Sequence, residues 1–281
     1  MKFVDITNDI AFRKIFGNAS KKKSLISFLN AVIELPRHEQ IVDIEIINPY
    51  QLGQLSGGKS TIVDVKAVDE NGNTFIVEMQ VAESNFFHKR ILYYTSQSYE
   101  AQLDEGVDYK KLKPVYFIGI LEFEIGQNSN YFSRHKVLDV ETKEQVIQDV
   151  EFNFIELPKF DKTIDHLESS IDQWTYFIKN AENLNVIPEN VKDEGLREAY
   201  LEADKQNWTK LELEDYLRAA LKEQDDIGRL EFAVNKAVKK AEETVRTERN
   251  VEIAKTLREN GVAIEIISKS TGLSIEEIQN L

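Results

Sequence analysis

The stretch STIVDVKAVDENGNTFIVEMQVAE, residues 60–83, decides how this chain is read. Two runs rich in β-branched residues flank the polar segment Asp69-Glu70-Asn71-Gly72, the pattern of a β-hairpin. The number of residues in the bend fixes the chemistry. A two-residue loop over Asn71-Gly72 would set Asp64 across from Met79 and leave Asp64 and Glu78 on opposite faces of the sheet. A three-residue loop, Glu70 to Gly72, pairs Asp69 with Asn73 and brings Asp64 directly across from Glu78. That loop needs Asp at the start of a type I turn and Gly in the left-handed position of a bulge, and Asp69 and Gly72 supply both. In this register Val63, Val65, Ala67, Phe75, Val77, Met79 and Val81 gather on one apolar face. The three-residue bend is therefore expected.

Two carboxylates on adjacent strands make a hard-oxygen site suited to Mg²⁺ or Mn²⁺. Asp64 and Glu78 are the expected metal ligands, with the main-chain carbonyl of Met79 as a third. Gln80 shares the face of Glu78 and is placed to orient an attacking water. Lys66, two residues from Asp64 on the same face, is a candidate source of positive charge. The plainer reading is that these groups are polar positions in a strand pair and nothing more.

Working outward, 281 residues with 42% apolar content are enough for one sizeable core and a second, smaller unit. Cysteine is absent, which excludes a disulfide framework, a thiolate zinc site and a thiol nucleophile. No apolar run approaches the length needed to span a bilayer, so no membrane partner and a cytoplasmic location are expected. The formal charge of −14 argues against general nucleic-acid adhesion. It is unevenly spread: residues 1–130 hold 14 Lys and Arg against 17 Asp and Glu, and the remainder holds 21 against 32. Lys21, Lys22 and Lys23 form one compact basic spot, read first as a solvated face.

The hydrophobic periodicity gives two short helices near the N-terminus, capped by Thr7, Asn8 and Asp9 and stopped by Gly17 and Pro36. A strand over IVDIEIINP, the hairpin, a helix closed by Gly106, and a buried strand in KPVYFIGILEF follow. The order is α-α-β-β-β-α-β. Strand-like SRHKVLDVET and DVEFNFIELPKF extend the sheet, and the chain is helical from Asp161 onward. The glycines of QLSGGKST lack P-loop spacing and open no helix. His38, His88, His135 and His166 are scattered without ligand spacing. Arg90 and Gln97 lie on helix faces that can overlook the two acids.

Asp64 followed by Glu78-Met79-Gln80 resembles the D…E-x-K signature of the PD-(D/E)XK nucleases, with Gln80 where Lys is usual. DIAFRKIFGN, LISFLNAVIEL, YYTSQSYEAQLDEGVDYKKLKPVYFIGIL and FIELPKF are similar to the PD-(D/E)XK nuclease family transposases. The resemblance implies an α/β fold: a restriction-endonuclease-like α-β-β-β-α-β core with a mixed sheet over residues 1–160, followed by an all-helical region over 161–281. It implies metal-dependent endonucleolytic cleavage of DNA, with Asp9 matching the family's opening motif as a helper, although Asp9 reads equally well as a helix cap. Gln80 cannot supply the charge that Lys would, which keeps open a second reading: a protein that retains the fold, has lost cutting, and acts as an interaction or regulatory module.

The C-terminal segment contains a long stripe of Ile227, Leu230, Val234, Val238, Ala241 and Val245. It ends in a helix-turn-helix-like pattern broken by Gly261 and TGLS. Its last helix carries Glu276 and Glu277 and no Lys or Arg, the wrong charge for reading DNA. Self-association as a homodimer through these helices is expected instead.

Overall fold

The structure, a computed structural model, describes residues 1–47, 50–51, 61–83, 86–103 and 108–281. QLSGGKST lies almost wholly outside these residues, and the expected helix closure at Gly106 lies outside them too.

Helices α1 (Asp9–Phe16) and α2 (Lys23–Val32) come first, then strand β1 (Ile44–Ile47) and the two-residue strands β2 (Tyr50–Gln51) and β3 (Thr61–Ile62). The hairpin is β4 (Val65–Asp69) and β5 (Thr74–Gln80), followed by α3 (Phe87–Glu100) and strands β6 (Val115–Leu121), β7 (Phe132–Lys136) and β8 (Val150–Glu156). Helices α4 (Ser170–Asn180), α5 (Glu194–Ala203) and α6 (Lys210–Glu259) continue the chain, and α7 (Ile264–Thr271) and α8 (Ile275–Gln279) close it.

One mixed six-stranded sheet runs in the order β1-β4-β5-β6-β8-β7. Its β5, β6 and β8 are parallel, while β1, β4 and β7 pair antiparallel with their neighbours. Each face is covered because each strand contributes apolar residues at a period of two. Phe75, Val77 and Met79 pack with α1, α2, α4 and α5, where Phe12, Phe28, Trp174 and Phe177 are wholly buried. Ile76 and Phe117 face the other way, against Phe87 and Ile91 of α3. Burying a large apolar side chain contributes about 1.5–3 kcal/mol, so the aromatic layer under α1, α2 and α4 is the main anchor of the fold.

The hairpin has the three-residue bend. Val65 pairs with Val77 and Ala67 with Phe75, and Gly72 has φ +86°. The carboxylate of Asp69 holds the bend. Its Oδ1 accepts the Asn71 and Asn73 N–H groups at 2.9 and 2.8 Å, and its Oδ2 accepts the Asn73 side-chain amide at 2.7 Å.

One part of the expected parity is corrected. Val63 packs with Ile76 on the α3 face, whereas Val65 lies on the opposite face. The chain bends at Asp64, so the two-residue period is broken there. The strand expected over 41–49 begins later, at Ile44: Val42 is 75% exposed and precedes β1, and residues 48 and 49 lie outside the described residues.

Two compact units divide between Ala219 and Ala220. The boundary expected at residue 160 falls inside the first unit, because Trp174, Phe177, Leu196 and Tyr200 complete the core beneath the sheet. In the second unit Ala254, Ile267 and Ile278 form a small core of their own. Gly261 and Gly272, with φ +76° and +74°, turn the chain between its helices, and Ser274 with Glu277 forms a capping box on α8.

Asp69→Ala removes three hydrogen bonds to a buried carboxylate and should lower the unfolding free energy by about 2–3 kcal/mol. Urea denaturation checks this, and an unchanged midpoint would mean that the bend closes without Asp69.

Candidate active site

In the alternating antiparallel ladder, Asp69 and Asn73 form a hydrogen-bonded pair through Asp69 N–H to Asn73 O at 3.1 Å. Counting two residues at a time, the Met79 N–H is directed at the main-chain oxygen of residue 63. It goes instead to Asp64 Oδ2, at 3.0 Å. A side-chain carboxylate thus replaces a ladder carbonyl, which is why the chain departs from the sheet here and Val63 changes face. By the same alternation the Met79 carbonyl points toward the Asp64 side of β5.

Glu78 is 5% exposed. Its Oε2 accepts a hydrogen bond from Gln80 Nε2 at 3.0 Å, and the same amide donates to the Met79 carbonyl at 2.9 Å. Glu78 Oε1 is buried and has no hydrogen-bond partner. Two of the three expected ligand atoms therefore converge on one point, held by the Gln80 amide nitrogen. Asp64 is close enough that its charge raises the pKa of Glu78. Burial is the larger cause, and together they push the Glu78 carboxyl up to about 8 against the lowering effects of Arg90, the Asp64 main-chain N–H and Arg13.

The two arginines are the cations of the site. Arg13 of α1 pairs with Asp64 Oδ1 at 3.0 Å, and Arg90 of α3 donates to the Gln80 side-chain oxygen. Arg90 had been expected to overlook the acids; Arg13 had not. The signal for it was present, since Arg13 lies four residues after Asp9 and so shares its face of the helix. Asp9 is exposed at the first turn of α1, with Asn8 as the cap. Lys66 is not the missing cation either. It is buried, desolvation lowers its pKa, and it has no ion-pair partner among the described residues. Tyr94 on α3 stands near enough that Glu78 and Asp64, after burial, raise its hydroxyl pKa.

The basic spot of Lys21, Lys22 and Lys23 is neutralised in the fold, through Glu202, Asp43 and Glu194 respectively. No three His, Cys, Asp or Glu residues gather in metal-binding fashion among the described residues. The donor set is the narrower one of two carboxylates and a main-chain carbonyl. It fits a hard divalent cation, because an orphaned buried carboxylate oxygen lacks the partner that such an ion would be.

The family model of the PD-(D/E)XK nuclease family transposases matches residues 6–252. The chain belongs to that family. The mixed sheet with its flanking helices fits the restriction-endonuclease-like α/β fold, and nucleases of this kind generally use divalent metals and act on DNA. No curated protein and no solved structure shows a significant match. Among the described residues no helix is long and apolar enough to cross a membrane.

The raised pKa of Glu78 carries a sign. Its contribution to stability is full below the unfolded value near 4.5 and is lost as pH rises through about 8. Glu78→Gln removes this titration. In metal-free buffer its melting temperature should gain on the unsubstituted protein as pH goes from 5 to 9, by about 2–4 °C for each kcal/mol of relief. Parallel melting curves at all pH values would mean that Glu78 is already ionised in the folded protein.

Proposed function

We propose that this chain is a metal-dependent DNA endonuclease acting in recombination or mobile-element biology, with Mg²⁺ or Mn²⁺ held by Asp64, Glu78 and the Met79 carbonyl. The observation that carries the reading is the convergence of Glu78 Oε2 and the Met79 carbonyl on one point, beside an unpartnered Glu78 Oε1 and with Asp64 tied to the same strand. A bound cation would bring positive charge to the scissile phosphodiester and make a nearby water more acidic.

The remaining roles fall to this chain's own groups. Gln80, whose amide now spans Glu78 and Met79, orients the attacking water. Arg13 and Arg90 carry fixed guanidinium charge on two helices flanking the acids, and their planar donor forks suit phosphate oxygens. Together they offset the charge that Gln80 lacks. Asp9 remains a candidate helper on the exposed end of α1. The absence of cysteine agrees with action on DNA in the cytoplasm.

Gln80 in the lysine place favours one alternative: the fold and the cation site are kept, and the protein serves as an interaction or regulatory module. Calorimetry and plasmid nicking separate the two. The chain should bind Mn²⁺ and nick supercoiled DNA only with metal present, and Asp64→Ala and Glu78→Ala should each lower nicking by roughly two orders of magnitude. Metal binding without cleavage of any DNA substrate would favour the regulatory module.

Self-association through the second unit belongs to the same reading. Ile227, Val234, Val238 and Val245 recur at steps of seven, four and seven, as in a coiled-coil seam, and are 43–62% exposed. Asp225, Asp226 and Glu231 precede Lys236, Lys239 and Lys240, so an antiparallel second copy sets acids against lysines. Sedimentation should give a dimer that Val238→Glu converts to monomer; a monomeric unsubstituted protein at tens of micromolar would exclude this seam.

A further inference from the structure

The flank of α3 away from the acids borders a cavity of about 310 Å³, walled by Ile91, Leu92, Phe152 and Phe154. Arg90 and Tyr94 occupy one row of the helix, whereas His88 and Leu92 occupy a row about 200° away. Neither Asp64 nor Glu78 lines the cavity.

Its polar groups are few and specific. Glu156, at the C-terminal end of β8, is 0% exposed and lines the cavity. One of its oxygens, Oε2, is committed: Lys159 Nζ pairs with it at 2.7 Å and the Ile125 N–H donates to it at 2.8 Å. The other, Oε1, is buried and has no hydrogen-bond partner. The rim carries two imidazoles. They are His88 of α3 and His135 of β7, the latter within 3.2 Å of Ser133 Oγ and edge-on to Phe154.

The chemistry of this cavity selects its occupant. Lys159 already balances the Glu156 charge, so a second cation has little to gain there. What is missing is a neutral N–H donor to Oε1, because a buried acceptor left without a partner is destabilising. Flat aromatic and branched walls with two imidazoles at the rim favour a planar ring. The volume lies at the lower end of small-molecule pockets, about 300–1,000 Å³. A heteroaromatic ring bearing an N–H meets all three conditions. On a protein that acts on DNA, this ring is a nucleobase turned out of its stack.

We propose that this cavity is a nucleobase site, in which an unstacked base lies between His88 and His135 and donates a ring or exocyclic N–H to Glu156 Oε1. The proposal rests on the nuclease reading for its choice of ligand but uses none of the metal chemistry. The base would sit across the width of α3, about 10 Å from the acids, so that one DNA strand spans both.

The test is ligand-observed NMR on the full chain in EDTA, titrated with the four deoxynucleosides and with N3-methylthymidine. At least one deoxynucleoside should bind. Thymidine should exceed N3-methylthymidine by about tenfold, the ratio expected from one unmade hydrogen bond to a buried acceptor. Leu92→Trp, which fills the cavity mouth from an exposed helix position, should reduce binding at least tenfold. His135→Ala, on an exposed strand position, is the second variant should Leu92→Trp fail to fold by circular dichroism. Asp64→Asn should leave nucleoside binding unchanged.

No binding by the unsubstituted chain overturns the proposal, as does binding lost in Asp64→Asn but untouched by the cavity variants. A change of oligomeric state in Leu92→Trp with nucleoside binding intact would make the cavity a protein contact instead. Because no metal is added and no bond is cut, this measurement can fail while nicking succeeds, or the reverse.

Discussion

The bond from Met79 N–H to Asp64 Oδ2 organises the acid-bearing end of the sheet. A buried main-chain N–H must find an acceptor, and at this rung the acceptor is a side chain rather than the neighbouring strand. Three features follow from it. The β4–β5 ladder stops, the chain bends so that Val63 enters the α3 layer, and the Asp64 carboxylate is fixed beside Glu78. The close approach of the two acids is thus built into strand pairing, with the Asp69-held bend five residues away setting the register on which it depends.

Placing two carboxylates close together with one of them buried is unfavourable, and two features offset this. Burial and the nearby Asp64 charge favour the protonated form of Glu78 at neutral pH, so only one full negative charge has to be held. Arg13 and Arg90 then supply positive charge from two different helices: Arg13 engages Asp64, Arg90 donates to Gln80, and the charge of each lowers the Glu78 pKa. A lysine at position 80 would have brought its ammonium straight to the acids. An amide there leaves the charge on the guanidiniums of Arg13 and Arg90. With Gln80 at this position, the positive charge beside the acids comes from α1 and α3 and not from β5 itself.

What was legible in the sequence was whatever depends on local periodicity and turn chemistry. The three-residue bend could be read from Asp69 and Gly72 together with the alternation of Phe75, Val77 and Met79, and the closing helices could be read from Gly261, Gly272 and the Ser274–Glu277 box. The break at Asp64 was not legible, because it arises when a side chain outcompetes a main-chain acceptor, and strand periodicity has no term for that. The places of Arg13 beside Asp64, and of His88 and His135 around one cavity, were hidden for a different reason. Each depends on which helix or strand lies beside which, over separations of 51 and 47 residues in the chain. The neutralised Lys21–Lys23 spot belongs to the same class, since two of its partners, Glu194 and Glu202, come from α5. That helix also carries the core well past residue 160.

Helix α3 gives these observations a common frame. It is 14 residues long, and its buried stripe of Phe87, Ile91, Thr95 and Ser98 fixes it on the sheet. With that stripe anchored, one flank carries Arg90 and Tyr94 toward the acids and the other carries His88 and Leu92 toward the cavity above β7 and β8. Because both flanks belong to one element anchored by the same buried stripe, the acids and the cavity are kept on opposite sides of a single helix.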